Sequence, residues 1–515
     1  MDLSLPIDVL AVLNHLQSNG FEAYVVGGAV RDLFLSKETP TDWDFTTNAT
    51  PDQIQALFEN SFYENEFGMV GVDRNHVREQ FGLPLLDFSQ QDNKQYNQVI
   101  QVEEATKIHE SLTTHNSKLI TQNGKKDHVF EITTFRSDGV YSDFRRPTQV
   151  TWGETLEGDL RRRDFTINSI AIHVDFQEAT YEELIKSSTK ENIILSKQSM
   201  KLIDPYGGLV DLTKQHIRTV GPASDRFKED ALRMLRAIRF AVQLHFTLDQ
   251  EILSAIKQHH ELITHVSWER IRDELLKMLS TDHPAKAIEY LDTTGLLAHI
   301  LPELLQAKGV EQAGHHTTDV WTHSIDALRE CPSRDPIVRL ATLVHDIAKP
   351  QTFRRTKNNI TFYNHEVIGA RVAKNIALRL RLSKHDTQRM FLLVRYHMFH
   401  YQPKMTDAAI RRFMRKIGLE NVNDVLDLRI ADRLGSGSRE TSWRLEEMKQ
   451  RMLSQLHQPF SVTDLAINGH DLMEELKLKP GPQLGIILKQ LCELVIENPK
   501  MNNKEKLIEG AKKLI

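Results

Sequence analysis

The sequence predicts an α+β chain, a mixed strand-and-helix head followed by an all-α body. Three observations carry this. Up to about residue 175 short β-prone runs alternate quickly with short helical ones. From about residue 222 apolar residues recur at helical spacing and keep doing so toward the carboxy terminus. With 515 residues, 40% hydrophobic and 26% charged, the chain has the balance of a globular protein and room for three or four domains at roughly 150 residues each. That balance excludes a mostly disordered chain, a collagen-like fibre and a membrane bundle. No run approaches the ~18 apolar residues of a bilayer span.

In chain order, MDLSLPIDVLAVLNHLQSNG has no basic start, and Asp8 and Asn14 interrupt its apolar run. It predicts an amphipathic first helix, not a secretion signal. Phe21–Val26 is β-prone, Gly27-Gly28 breaks it, and Ala29–Leu35 reads as a helix. Thr39-Pro40 marks a turn before an extended Asp42–Thr46. Residues 52–59 predict a helix and Val129–Phe135 a strand. The stretch 73–128, rich in Gln and Asn and weakly periodic, predicts an insertion or long loop. Leu232, Leu235, Ala237, Ile238 and Val242 share one helical face. Gln458-Pro459-Phe460 breaks the body before a last small helical unit, itself turned at Lys479-Pro480-Gly481-Pro482. Cys331 and Cys492 are far apart in no paired motif, which fits a reducing cytoplasm.

The net charge of −5, from 65 basic and 70 acidic residues, does not decide the partner, because steering follows the local field. Basic residues do cluster, at Arg161–Arg163 and at Arg226, Lys228, Arg233, Arg236 and Arg239.

The densest chemistry lies in VVGGAVRDLFL and TDWDFTT. A Gly-Gly turn between strand and helix lets a phosphate approach backbone N–H groups at a helix start. On a strand, Asp42 and Asp44 project to one face while Trp43 points away. Two such carboxylates suit a hard divalent ion shared with substrate phosphates, and Glu131 on the later strand offers a third.

Taken together, GGAVRD, DWDF, RRRDFTINSIA and KEDALRMLRAIRFA, with SDFRRPTQVTWGETLEGDL and DPYGGLVDL between them, resemble the class II nucleotidyltransferases. These are the CCA-adding tRNA nucleotidyltransferases and the bacterial poly(A) polymerases. The resemblance implies a polymerase β-like head in which Asp42 and Asp44 are catalytic and bind Mg²⁺; Glu131, from its place on the later strand, is the third expected catalytic carboxylate. Gly27, Gly28 and Arg31 resemble the triphosphate-binding turn. Arg163, Asp164 and Asn168 match a ribose-reading element, and Glu229, Asp230 and Arg233 the amino-acid template, with Arg236 and Arg239 beside it. On a helix Glu229 and Arg233 are i,i+4 neighbours, so Glu229 can hold Arg233 while Asp230 and Arg233 face a base. An Asp that accepts from the exocyclic amine of C or A, with an Arg donating beside it, disfavours U and G.

His323, His345-Asp346, His365, His397 and Asp432 form a second constellation. It resembles the HD superfamily of metal-dependent phosphohydrolases, with His323, His345, Asp346 and Asp432 in the ligand positions and two further histidines for a second ion. The donor set suits a divalent transition metal, and Asp427 is a less favoured substitute for Asp432.

The resulting expectation is a head at 1–175 carrying the insertion 73–128, and a nucleotide-selecting neck and RNA-binding helical region at 176–300. An HD-type metal-binding helical domain at 301–457 and a helical tail at 458–515 complete it. The expected activity is untemplated, CTP- and ATP-dependent addition or repair of the 3′-terminal CCA of tRNA in the cytoplasm, with tRNA, CTP and ATP as partners and no membrane. The loop RSDGVYSDFRRP resembles one required for the final A, and no basic poly(A)-polymerase element is evident after the GxV segment (here Gly68-Met69-Val70). Both favour complete CCA addition. A poly(A) polymerase, a partial CC- or A-adding enzyme, and an HD phosphohydrolase with an RNA-binding head remain the alternatives.

Overall fold

The computed structural model describes residues 3–35, 40–64, 68–86, 128–138, 150–152, 155–176, 192–195, 199–312, 318–356, 360–399, 401–438 and 442–515. Of the expected insertion, 87–127 lies outside these, as does 139–147 of the loop RSDGVYSDFRRP. The chain divides into two compact units, Met1–Val266 and Ser267–Ile515. The expected 176–300 neck straddles that division.

The first unit is built on a seven-stranded mixed sheet in the order β11-β9-β2-β3-β6-β5-β4. Its strands are β2 (Ala23–Val26), β3 (Asp44–Thr47), β4 (Phe62–Glu64), β5 (Met69–Asp73), β6 (Val129–Thr134), β9 (Ala171–Val174) and β11 (Met200–Ile203). Three two-residue or longer ribbons accompany it, formed by β1 (Leu3–Pro6) with β10 (Asn192–Leu195), β7 (Arg136–Asp138) with β8 (Val150–Trp152), and a short parallel pair at His216–Ile217 and Thr247–Leu248. In the centre, β3 pairs antiparallel with β2 and parallel with β6, and Asp44 lies in register with Val26 on one side and Glu131 on the other.

The strand expected at Asp42–Thr46 thus starts two residues late, at Asp44. Asp42 precedes the ladder because the Trp43 indole, fully buried, donates to the Pro40 carbonyl at 2.8 Å and closes a turn there. The helix expected at 52–59 runs instead over α3 (Pro51–Leu57), since Thr50 and Gln53 form a capping box with proline next to the cap.

The first helix, α1 (Ile7–Ser18), is not amphipathic. Ile7 through Leu13 are buried without interruption, Asp8 included, as α1 packs against β2 and α4 (Arg74–Gln80). Helix α4 falls inside the expected insertion, which therefore starts too early at 73. Asp73 caps α4 through the amides of Asn75 and His76, and Arg74 and Arg78 reach the wholly buried Asp8 at 2.9 and 3.0 Å. An interrupting acid in α1 and two arginines in a polar stretch are thus one ion triad, invisible to periodicity because its halves are 66 and 70 residues apart. Asp8→Ala strands two buried guanidiniums, and we expect a loss of about 3–5 kcal/mol in denaturant unfolding. A change below about 1 kcal/mol would contradict this pairing.

The second unit is helical, with two short strands at Arg354–Arg355 and Ile360–Thr361. Helices Val320–Arg329, Pro336–Val344, His365–Arg379, Lys384–Tyr396 and Val422–Gly435 pack together. Gly435 permits one close crossing, because a Cβ there would stand 2.6 Å from the Ala327 amide nitrogen. The final segment has its own apolar cluster, built on Leu472, Leu491, Val495 and Leu507. No helix among the described residues is long and apolar enough to cross a membrane.

Candidate active site and candidate metal centre

In the first unit, strand β2 ends at Val26 and is followed by Gly27, whose φ of +80° is a left-handed conformation that suits glycine. Helix α2 (Gly28–Leu35) starts directly after it. A Cβ on Gly27 would stand 2.8 Å from Asp44 Oδ2 and 3.2 Å from Arg163 Nη1, so the turn and the acid at the start of β3 are in close apposition. Asp42, Asp44 and Glu131 line one cavity of about 660 Å³ with Gly27, Gly28, Arg31, Arg163, Asp164, Asn168, Asp230, Arg233 and Arg236. Glu229 and Arg239, also expected here, do not line it but touch residues that do, Glu229 pairing with Arg233 and Arg239 lying over the Phe240 ring.

Gly27→Ala places a side chain in this gap. The left-handed backbone costs about 1–2 kcal/mol in stability, while the nucleotide incorporation that the resemblance implies should fall on the order of a hundredfold because Asp44 must move. Melting and steady-state incorporation measured together check this, and unchanged incorporation would contradict it.

The basic and polar residues hold one another. Asp159, fully buried, anchors Arg162 at 2.6 Å and Arg163 at 3.2 Å. Arg31 donates to Asn168 Oδ1 at 3.0 Å and pairs with Asp32 at 2.7 Å. Asp164 accepts from Asn168 Nδ2 at 3.1 Å and from Arg236 Nε at 2.7 Å. Burial pushes the Asp164 carboxyl up, but Arg236, the Asn168 amide and Arg233 outweigh it and hold it at about 2. Its contribution to folding is therefore complete above the ordinary carboxylate value and lost as pH falls toward 2.

Glu229 and Arg233 do pair, but across a break and not along one helix. The helix Ala223–Glu229 stops at Asp230, which is extended, and a second helix starts at Leu232. Asp230 accepts the Leu232 amide at 3.0 Å, the preference of a short acid for a helix start. Arg233 is fixed by Glu229, by the Arg226 carbonyl at 3.2 Å and by the Arg162 carbonyl at 3.0 Å.

Phe240, absent from the sequence-based set, lines the cavity, and the guanidiniums of Arg31, Arg236 and Arg239 lie 5.2, 5.4 and 4.0 Å from its ring centre. Arg162, Arg136, Met69 and Thr133 also line it. The signal for Phe240 was the arginine spacing around it; an aromatic on an apolar face otherwise reads as core.

The carboxylates on this wall are the hard oxygen donors a divalent ion takes. Among the described residues, however, the groups of three or more His, Cys, Asp or Glu ligands within 4.8 Å of one another both lie in the second unit. Glu131 shares the wall with the Asp pair without closing such a group.

Those two groups are His323, His345 and Asp346, and Asp346, His365 and His397, all buried and joined by Asp346. Asp346 Oδ2 lies 3.3 and 3.2 Å from Nε2 of His323 and His345, and Oδ1 lies 3.3 and 3.7 Å from Nε2 of His365 and His397. Asp432 reaches His323 and His345 at 3.3 and 3.6 Å. Asp427 is turned to other neighbours, and burial with Asp424 beside it pushes its carboxyl to about 6.

Nδ1 of His345, His365 and His397 lies 2.7, 2.8 and 2.8 Å from the carbonyls of Thr342, Phe362 and Val394. A carbonyl only accepts, so each Nδ1 carries the hydrogen and Nε2 faces the cluster, the orientation of a metal-ligating imidazole. Burial pushes His345 down, yet Asp346 and Asp432 bring it up to about 10. Burial and the neighbouring His345 push His397 to about 3. A divalent cation would take the place of the proton His345 holds. Lys349 and Arg429, which the sequence reading passed over, pair with Asp346 and Asp432 at 2.6 Å each, both at i,i+3 spacing.

With this geometry in view, a model for the poly(A) polymerase head domain matches residues 23–98 and 86–218, one for a probable RNA- and SrmB-binding site of polymerase A matches 245–308, and one for a putative tRNA nucleotidyltransferase domain 2 matches 371–511. The A-adding tRNA nucleotidyltransferase of Deinococcus radiodurans is 34% identical over 354 residues, 66% of this chain and 75% of that protein. The CCA-adding enzyme of Streptococcus pyogenes serotype M5 is 27% identical over 513 residues, 97% of this chain and 95% of that one. The crystal structure of the Bacillus stearothermophilus CCA-adding enzyme in complex with CTP shares the fold, with a TM-score of 0.61 at 24% identity over 98% of this chain and 96% of that one.

The head and its cavity define a nucleotidyltransferase. The chain belongs to the family of tRNA nucleotidyltransferases and poly(A) polymerases.

Proposed function

We propose that this chain is a CTP- and ATP-dependent enzyme that builds or repairs the 3′-terminal CCA of tRNA without a nucleic-acid template, in the cytoplasm. The carrying observation is that the acids of the DWD motif and the Asp230–Arg233 pair line one cavity. Near end-to-end likeness to a CCA-adding enzyme supports the complete reaction. Two buried, unpaired cysteines fit a reducing compartment.

In this reading Asp42 and Asp44, with Glu131 beside them, would hold Mg²⁺, and the chemistry supplied there would be polarisation of the tRNA 3′-hydroxyl and stabilisation of the leaving oxygen. The hydroxyl attacks the α-phosphate and pyrophosphate leaves. The turn at Gly27-Gly28 and Arg31 receive the triphosphate at a helix start. Arg163, Asp164 and Asn168 stand where a ribose 2′-hydroxyl can be bonded, with Arg236 holding Asp164. Asp230 accepts from the amine of C or A while Arg233 donates beside it. Glu229 fixes Arg233, and Arg239 stacks on Phe240 behind it. Each lost base contact costs roughly 1–3 kcal/mol of discrimination.

The test is to incubate tRNA lacking one, two or three terminal nucleotides with CTP and ATP and to sequence the 3′ ends. Complete CCA on all three is expected. Addition of A alone would shift the reading to the activity named for the Deinococcus relative, and long A tails on arbitrary RNA to a poly(A) polymerase.

For the second unit we propose an HD-type phosphohydrolase centre, on the observation that six buried candidate ligands cluster, four of them histidines and one an aspartate shared by both groups. His323, His345, Asp346 and Asp432 would hold one divalent transition metal, and Asp346, His365 and His397 a second. Phosphate release from a phosphomonoester or a 2′,3′-cyclic phosphate with added metal supports this, and its failure with several metals contradicts it. If His345→Ala abolished the chain's main activity and Asp42→Ala did not, the head would be only an RNA-binding module.

A further inference from the structure

The cavity that opens onto the buried histidine cluster shares two of its lining residues with a second one. The first, of about 460 Å³, is lined by Asp346, His365 and Asp432 and by Lys349, Arg429 and Arg433, with Tyr363 and Met398 at its edge. The second, of about 260 Å³, is lined by Phe399, Tyr401, Trp443 and Arg444. Arg429 and Arg433 line both. They stand four residues apart on the Val422–Gly435 helix, so they share a face and form a common wall. The consecutive residues Met398 and Phe399 line one cavity each, and Met398 Sδ lies 3.8 Å from Arg429 Nη1.

Two features suit a nucleic-acid strand better than a free phosphate ester. Each cavity is lined by a large, exposed aromatic side chain, Tyr363 at 74% and Trp443 at 61% accessible, and the Arg444 guanidinium lies 5.2 Å from the Trp443 ring centre. The cations Arg429 and Arg433 belong to both cavities. A flat ring on each cavity and guanidiniums common to the two match a single strand, whose bases stack and whose phosphates pair. An acidic centre alone accounts for Lys349 and Arg429, which pair with Asp346 and Asp432. It gives no role to Trp443 and Arg444 in the second cavity.

We propose that the two cavities form one track for a single-stranded RNA end, with a phosphate at the histidine–aspartate cluster, the next backbone phosphate at Arg429 and Arg433, and a base on Trp443. The proposal rests on the reading of the cluster as a phosphate-handling metal centre, but the two fail separately.

The experiment uses the full chain loaded with manganese and a short single-stranded RNA carrying 4-thiouridine and a 3′-phosphate. Photo-crosslinked peptides are mapped, affinity is read by fluorescence anisotropy, and phosphate release is followed on the same samples. The track predicts crosslinks within 429–445 and about tenfold weaker capture of that segment in Trp443→Ala and in Arg433→Ala, the scale of one lost stacking or phosphate contact. Circular dichroism confirms that both variants fold; Trp443→Phe, which keeps a flat ring, should recover most of the capture. Crosslinks confined to Met1–Val266, or unchanged capture in folded variants, overturn the track. Phosphate release without these crosslinks sinks the RNA track and leaves the metal centre standing. Crosslinks without release sink the hydrolase reading and leave the track.

Discussion

Asp44→Asn is expected to lower nucleotide incorporation by roughly a thousandfold or more while tRNA affinity stays within about twofold. The substitution keeps the size of the side chain and removes its charge. Asp44 opens β3, held between Val26 and Glu131 by ladder register, and its Oδ2 faces the Gly27 turn at the distance where a Cβ would collide. Its position is therefore set by the sheet and survives the change, so any loss reports charge and not folding. Incorporation from single-turnover kinetics and tRNA binding by filter retention separate the two. Near-normal incorporation would mean that the DWD acids do not hold the reactive ion.

Asp346→Asn is expected to abolish metal binding at the centre proposed for the second unit while nucleotide addition continues. Asp346 is the residue common to both ligand groups, with one oxygen toward His323 and His345 and the other toward His365 and His397. Loss of a residue that merely orients a ligand weakens metal binding about 10- to 100-fold. Loss of this bridge should exceed that for both ions. Metal content by mass spectrometry after gel filtration is the measurement. Full retention of metal would remove Asp346 from the centre, and loss of nucleotide addition would tie the two chemistries together.

The chemistry was far more legible in the sequence than the packing. Asp42, Asp44, Asp164 and Asp230 stand in short motifs whose spacing survives a misplaced strand start, and the fold brings all four to one cavity. The histidine cluster was legible as a set for the same reason. What escaped depends on long-range partners. Asp8 reads as a flaw in an apolar run until Arg74 and Arg78 are seen beside it. Phe240 reads as core until three arginines are seen on its ring. The break at Asp230 escaped because Glu229 and Arg233 keep the i,i+4 spacing on either side of it, so periodicity runs straight through. Helix α4 was hidden by composition, its arginines and glutamine matching the polar stretch that follows.

The central claim is that the first unit grips a divalent ion between Asp42 and Asp44 beside an incoming ribonucleoside triphosphate. Crystals soaked with CTP and manganese, measured at the manganese absorption edge, test it most directly. The account predicts an anomalous peak between the two carboxylates and the triphosphate, with the cytosine edge toward Asp230 and Arg233. Ordered CTP in that cavity with no anomalous peak at the two aspartates, or with its base turned away from Asp230 and Arg233, would contradict it.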